Sequence, residues 1–190
     1  MKTENKWNGK NALWMALYTV LYVVMSVLVC VLGSVHPVLF VCYQITAGLL
    51  VTGTAAKAFD RIKAFGAACC LSLGMLLAFV VIRDVSLWHC LPVVIIAVLA
   101  ELLRGAFGYS TKGDMIAAVI MSFSTFGFYG QIWFNRDYTY DCAVEEMPVG
   151  YAEKIMDFSP AWAFPLVIIA GIAVSALIWN ITKQLFKFEG

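Results

Sequence analysis

The sequence predicts an all-α integral membrane protein with a single domain over residues 1–190, six transmembrane helices and both termini in the cytoplasm. Of its 190 residues, 62% are hydrophobic and only 13% are charged, and the mean hydropathy is +0.85. A soluble domain of this length needs far more polar surface. The number of helices follows from the apolar segments, and their orientation follows from the lysines and arginines.

Six segments are long and apolar enough, or nearly so, to cross a hydrocarbon core about 30 Å thick, which takes roughly 20 residues. Each is predicted to be helical, because backbone groups in lipid must be hydrogen-bonded internally. The predicted spans are 11–33, 37–58, 62–82, 86–103, 114–134 and 160–182, with an external loop at 135–159. The first is too long for a signal-peptide core and no A-x-A cleavage site follows it, so we expect it in the mature protein.

The basic residues are unevenly distributed between the two sets of connections. Ten of the thirteen lysines and arginines lie before the first span, after the sixth, or in the two connections on the same side. Arg83, Arg136 and Lys154 alone fall on the other side. Because basic residues favour cytoplasmic loops, the pattern predicts cytoplasmic termini and an external, acidic loop at 135–159.

A cluster of recognition groups marks the end of the fifth predicted span. Asn135, Arg136 and Asp137 follow one another there, and they are flanked by Tyr129, Gln131, Trp133 and Tyr138. We expect these side chains at an outward-facing pocket. Residues 151–158 are predicted to form a short amphipathic helix over its mouth, since long ordered loops often act as lids.

Other polar or aromatic residues are expected near the same outer end. These are His36, His89, Trp88 and Gln44. A buried glutamine amide needs a polar partner, so Gln44 indicates either a pocket or a hydrogen bond between helices. His36 either lines the pocket or lies in the headgroup region, and His89 with Trp88 either forms the rim or anchors the interface.

Three further features of the sequence concern an ion pair, a disulfide and the question of catalysis. Glu101 and Arg104, three residues apart, are expected to form a structural or partner-docking ion pair. Cys90 and Cys142 both fall on the predicted outer side, which permits a disulfide without requiring one. The sequence contains no P-loop, H-E-x-x-H or G-x-S-x-G motif, so we do not expect an enzyme.

Several of these features occur together in a known family. Ala12 and Ala16 form an A-x-x-x-A motif, Glu101 to Arg104 reads Glu-Leu-Leu-Arg, and Phe134 to Asp137 reads F-N-R-D before a long outer loop. With the six predicted spans, this pattern resembles the Trep_Strep (MptD-like) group from residue 11 to about residue 187. Its members look like S components, the substrate-binding membrane subunits of energy-coupling factor (ECF) ABC importers.

The resemblance implies partners and a location. The partners would be a transmembrane coupling (T) subunit and two cytoplasmic ATPases, and the ATPases would carry the P-loop that this sequence lacks. The complex would lie in the cell membrane of a prokaryote. Ala12 and Ala16 would then dock the coupling subunit, because small residues let helices approach closely. Arg136 would either bind a carboxylate or phosphate of the substrate or pair with Asp137 or Asp141 to hold the loop.

The substrate is expected to be a micronutrient, and no intrinsic cofactor is expected. Aromatic residues with His36, His89 and Arg136 suit a flat ligand with carboxylates. Haem is one candidate, since imidazole can ligate its iron. A vitamin-like molecule and a metal chelate are others. The competing hypotheses are a membrane assembly or interaction protein without a small-molecule ligand, and a membrane enzyme.

Overall fold

The computed structural model describes residues 6–188, which form helices joined by short connections. The helices are α1 (Gly9–Val35), α2 (Pro37–Val41), α3 (Tyr43–Arg61), α4 (Ala67–Ile82), α5 (Leu87–Ala106), α6 (Thr111–Met121), α7 (Phe126–Tyr129), α8 (Gln131–Phe134), α9 (Arg136–Glu146), α10 (Tyr151–Phe158) and α11 (Ala163–Phe186). No strand occurs within 6–188. The predicted all-α class is confirmed.

Helix α3 lies at the centre of the bundle. It packs against α1, α6 and α11, and ten of its 19 residues are buried, compared with six of 27 in α1. Its buried stripe is rich in small residues, which allow close helix packing. At the crossing with α11, a Cβ on Gly48 would stand 2.9 Å from the carbonyl oxygen of Gly171. The two backbones therefore meet where neither residue carries a side chain.

Among the described residues, three helices are long and apolar enough to cross a membrane: α1, α5 and α11. Helix α4 is also apolar but has only 16 residues. The six-span count and the side on which the termini lie remain predictions. The second and fifth predicted spans are each divided.

The second predicted span divides at Cys42, between α2 and α3. His36 caps the start of α2, because its Nδ1 accepts a hydrogen bond from the backbone N–H of Val38 at 3.2 Å. Pro37 then occupies the first helical turn, where its missing N–H costs nothing.

The fifth predicted span divides after Met121 into α6, a turn at 122–125, and the short helices α7 and α8. The turn is held by i to i+3 bonds, such as Phe126 N–H to Phe123 O at 2.8 Å. The Ser122 hydroxyl also donates to the carbonyl of Val119 at 2.7 Å. Hydroxyl side chains that bond nearby backbone in this way compete with continuous helix.

A buried charge network joins α5, α6 and the α3–α4 connection. Arg104 donates through Nε to Asp114 Oδ1 at 2.7 Å, and Lys63 pairs with Asp114 Oδ2 at 2.5 Å. The expected Glu101–Arg104 pair is present at 3.4 Å. Arg104 and Asp114 are fully buried. The network is larger than the sequence predicts, because Lys63 comes from the α3–α4 connection and Asp114 from α6, 51 residues further along the chain.

The segment 135–159 folds into two helices, α9 and α10, which we call the lid. Helix α10 occupies the residues predicted to be a short amphipathic helix. The lid rests on an apolar cluster separate from the main core, formed by Val41, Ile132, Ala143, Tyr151, Ala152, Ile155 and Val167. The lid is therefore a packed part of the protein.

Candidate functional site

Helix α10 is bonded to the bundle at its start and to α9 at its end. At its start, the Tyr151 hydroxyl donates to the carbonyl oxygen of Gly33, at the end of α1, at 2.5 Å. At its end, Arg136 Nη1 donates to the carbonyl of Ser159 at 2.8 Å, and Nη2 donates to the carbonyl of Met156 at 3.1 Å. Between α9 and α10, the Tyr140 hydroxyl contacts Glu153 Oε1 at 3.1 Å.

Under the lid lies a cavity of about 190 Å³, which we call the lid cavity. Its walls come from α9 and α10 above and from α2, the α4–α5 connection, α5, α7 and α8 below. The lining side chains are Phe40, Asp84, His89, Phe128, Gln131, Tyr138, Thr139, Cys142, Ala143, Glu146, Met147, Tyr151 and Ile155. The lining thus combines aromatic rings with carboxylates, and no lysine or arginine of residues 6–188 belongs to it.

His89 and Asp84 form a polar pair in this wall. His89 Nδ1 lies 2.9 Å from Asp84 Oδ1, and the imidazole stacks on the Phe128 ring with centroids 3.8 Å apart. The chain reaches this arrangement through Arg83, which ends α4 in the left-handed conformation at φ 60°. Asp84 therefore pairs with His89 rather than with the adjacent Arg83.

Arg136 does not line the lid cavity. Its guanidinium is bound to backbone carbonyls at the end of α10 and to the carbonyl of Ile132 at 3.2 Å, with no ion pair to Asp137 or Asp141. Carbonyls at the end of a helix lack intrahelical partners and carry partial negative charge, so a guanidinium is well matched to them. Of the two predicted roles, the geometry favours holding the loop, but through carbonyls instead of carboxylates.

The other predicted pocket residues are dispersed. Gln131, His89 and Tyr138 line the lid cavity, whereas Trp88 and Asn135 line a separate, mainly apolar groove of about 540 Å³ between α5, α7 and α8. His36 is exposed and is used as the helix cap of α2. The two histidines are therefore not brought into one site.

Gln44 and Tyr129 lie inside the bundle, below the cavity. The Tyr129 hydroxyl donates to Gln44 Oε1, and Gln44 Nε2 donates to the Ser122 hydroxyl at 2.9 Å. Ser175 of α11 donates to the same hydroxyl at 3.1 Å. Of the two expectations for Gln44, the structure favours hydrogen bonding between helices.

Trp133 and Asp137 also lie away from the cavity lining. Trp133 is half-buried, with its ring centroid 5.2 Å from that of Phe164. Asp137 is exposed on the first turn of α9, where a carboxylate is favourable to the helix dipole.

Several lining residues were not predicted from sequence, namely Phe40, Asp84, Phe128, Cys142, Glu146 and Tyr151. The predicted external placement of the loop was the only indication in the sequence for Cys142 and Glu146. Cys90 and Cys142 are both free thiols, so the permitted disulfide is not formed. Within residues 6–188, no group of three or more His, Cys, Asp or Glu side chains is arranged to hold a metal ion.

The surroundings of two tyrosines of the lid raise their pKa values further above neutral pH. Burial raises the pKa of Tyr151 to about 12. The hydrogen bond with the Cys142 thiol, followed by burial, raises the pKa of Tyr138 above its usual value. Both phenols are therefore neutral hydrogen-bonding groups at the wall of the cavity at ordinary pH.

The residues expected to dock a partner, Ala12 and Ala16, are both exposed on α1. At about 100° per residue, they lie roughly 90° around the helix from its buried stripe. Their side chains leave this flank of α1 open to close approach by another helix.

Residues 6–188 are helical, include three helices of membrane-spanning length and apolarity, and expose many large apolar side chains, which together define an integral membrane protein. The chain belongs to the Trep_Strep family, described as hypothetical bacterial integral membrane proteins, whose model matches residues 9–189. No curated protein and no solved structure matches it.

Proposed function

We propose that this chain is the substrate-binding membrane subunit of an energy-coupling factor importer, and that it binds a small micronutrient in the lid cavity. The observation that carries the proposal is the lid cavity itself: a concave site between a helical bundle and two attached helices, lined by aromatic and polar side chains. Ligand sites in proteins have this character, with apolar walls and a few oriented polar groups.

The size of the cavity limits the ligand. Drug-sized ligands occupy pockets of roughly 300–1,000 Å³. A cavity of about 190 Å³ suits a smaller molecule. Haem is poorly matched both to this volume and to a wall that contains one histidine, because His36 lies elsewhere.

The charge of the cavity favours a positively charged group on the ligand. Asp84 and Glu146 contribute carboxylates, and the one basic side chain that was expected there, Arg136, is engaged by the lid. Phe128, Tyr138 and Tyr151 offer aromatic faces, which attract cations at distances within about 6 Å of the ring centroid. An amine-bearing micronutrient therefore fits better than the carboxylate-bearing ligand expected from sequence.

Release of the ligand requires the lid to open. Its bonds to the bundle are local: Tyr151 donates to the carbonyl of Gly33, and Arg136 donates to the carbonyl of Ile132 in α8. A partner that shifts α1 would act on Gly33, the acceptor for Tyr151. In this proposal, ATP hydrolysis by partner subunits supplies the energy for that movement.

Affinity purification of the tagged protein from its host tests the assignment. We expect a coupling subunit and ATPases to copurify with the wild type and to be lost with Ala16→Trp, because the indole fills the open flank of α1. The matched control is Val24→Trp, an exposed position two turns further along α1. Copurification that survives Ala16→Trp, or that is lost equally with Val24→Trp, would contradict the proposed docking surface.

A further inference from the structure

A second and larger cavity, of about 750 Å³, lies at the opposite end of the bundle from the lid. It is bounded by α1, by the second half of α3 and by the end of α11. We call it the basal cavity. We infer that the basal cavity binds the headgroup and upper acyl chain of one anionic phospholipid, independently of the function proposed above.

The basal cavity has a charged end and an apolar end. Its charged end carries Lys57, Asp60, Arg61 and Lys187, and its walls become leucine-rich toward Leu21 and Leu50. From Arg61 back to Leu50 is eleven residues of helix, or about 16 Å at 1.5 Å per residue. A phospholipid has the same order of chemical groups over that depth, with an anionic phosphate followed by a hydrocarbon chain.

The cations outnumber the carboxylates that neutralise them. Lys57 and Asp60 form an ion pair at 3.1 Å, and Lys57 Nζ also lies 4.9 Å from the ring of Phe186. Arg61 uses Nε to donate to Asn11 Oδ1 at 2.9 Å, and its guanidinium lies 5.7 Å from the Trp14 ring. These contacts fix the position of the arginine without neutralising its charge.

Two positive groups remain available to a ligand. Within residues 6–188, the terminal nitrogens of Arg61 have no hydrogen-bond partner, and Lys187 forms no ion pair. A guanidinium matches two oxygens of a phosphodiester, and a lysine adds a second charge beside it. Basic pockets between membrane helices are suited to anionic headgroups for this reason.

The basal cavity and the proposed docking pair lie on different flanks of α1. Trp14, Leu17, Tyr18 and Leu21 face the cavity. Around the axis of α1, these four side chains lie roughly 90° to one side of the buried stripe of the helix, whereas Ala12 and Ala16 lie roughly 90° to the other side. A lipid in the basal cavity would therefore leave the docking flank free.

Native mass spectrometry of the full-length protein, delipidated and titrated with dioleoyl phosphatidylglycerol or dioleoyl phosphatidylcholine, tests the inference. We expect one phosphatidylglycerol to bind at least tenfold more tightly than phosphatidylcholine. Arg61→Gln and Lys187→Gln each remove one positive charge, and each is expected to weaken phosphatidylglycerol binding about fivefold. Arg61→Lys, which keeps the charge and is less disruptive, is expected to retain most of the binding.

The matched control is Lys183→Gln, which removes the same charge from the same end of α11 but does not line the cavity. Its binding of phosphatidylglycerol is expected to equal that of the wild type. Equal affinity for the two lipids, or equal loss in Lys183→Gln and Lys187→Gln, would overturn the inference. Circular dichroism of every variant identifies any that has failed to fold.

Discussion

Arg136, the first residue of α9, donates a 2.8 Å hydrogen bond to the carbonyl oxygen of Ser159, the residue that follows α10. The two residues are 23 positions apart, and their bond closes the whole lid into a loop. The same guanidinium also reaches the carbonyl of Met156. One side chain thus holds both helices of the lid against each other.

Removal of this guanidinium is expected to loosen α10. In Arg136→Ala, amide hydrogen exchange in α10 should quicken about thirtyfold, because losing charged hydrogen bonds lowers the local opening free energy by roughly 2 kcal/mol. Hydrogen-exchange mass spectrometry measures the effect. Lys154→Ala, an exposed lysine on α10, is the control and should change exchange little. Equal protection in wild type and Arg136→Ala would mean that the arginine does not hold the lid.

The attachment at the other end of α10 is expected to depend on pH. The pKa of Tyr151 is raised to about 12 in the folded protein, above the usual value of 10. The stabilising contribution of the neutral phenol is therefore fully present below pH 10 and is lost as the pH rises through about 12. The protection factor of the first turn of α10, which is its exchange relative to that of an unprotected amide at the same pH, should fall over that interval.

Tyr151→Phe is the matched variant for this pH dependence. It lacks both the ionisable proton and the bond to Gly33, so the protection factor of α10 should already be lower at pH 8 and should show no further step between pH 10 and pH 12. If the step persists in Tyr151→Phe, another group causes it.

The acidic lining of the lid cavity is expected to contribute to affinity for a positively charged ligand. Glu146→Gln should weaken binding about fivefold, since a partly exposed ion pair contributes up to about 1 kcal/mol. The measurement is a titration with the ligand identified in the wild-type protein. Glu145→Gln, which alters the neighbouring residue outside the cavity, should bind as the wild type does. Tighter binding by Glu146→Gln would indicate an anionic ligand.

The buried charge network is expected to be essential for stability. Asp114→Asn leaves Arg104 and Lys63 without their shared carboxylate, and breaking a buried pair costs about 3–5 kcal/mol. Thermal unfolding in detergent should reveal a large loss. Asp60→Asn breaks the partly exposed pair with Lys57 and should cost less than about 1 kcal/mol. Similar losses in the two variants would contradict a structural role for the network.

Local patterns in the sequence identified much of the fold. The long apolar segments correspond to α1, α4, α5 and α11, and the amphipathic pattern at 151–158 corresponds to α10. These features depend on residues close together in the chain, which is why periodicity and composition detect them. The Glu101–Arg104 pair could be predicted for the same reason, because its two residues are one helical turn apart.

Contacts that join distant parts of the chain could not be predicted from the sequence. Asp114 meets Lys63 across 51 residues, and Arg136 meets Ser159 across 23. Arg136 was expected to act through another charge, because a sequence displays charged side chains but not the unpaired carbonyls at a helix end. The role of His36 as a helix cap was likewise not predicted, since it depends on where α2 begins.

The division of the fifth predicted span was also not predicted from the sequence. Ser122 and Thr125 are compatible with membrane helices, and hydropathy alone does not distinguish a hydroxyl that bonds its own backbone from one that bonds a neighbour. The resulting turn places Phe128 beside His89 in the cavity wall. One local irregularity therefore determines part of the candidate site.

The most direct test of the account is native mass spectrometry of gently purified protein in two tryptophan variants of α9. Ala143 is buried and lines the lid cavity, whereas the adjacent Val144 is exposed. We predict that the wild type and Val144→Trp each retain one small molecule and that Ala143→Trp, with the cavity filled, retains none. Retention of the same molecule by Ala143→Trp, or its absence from the wild type, would contradict the assignment of the lid cavity as the substrate site.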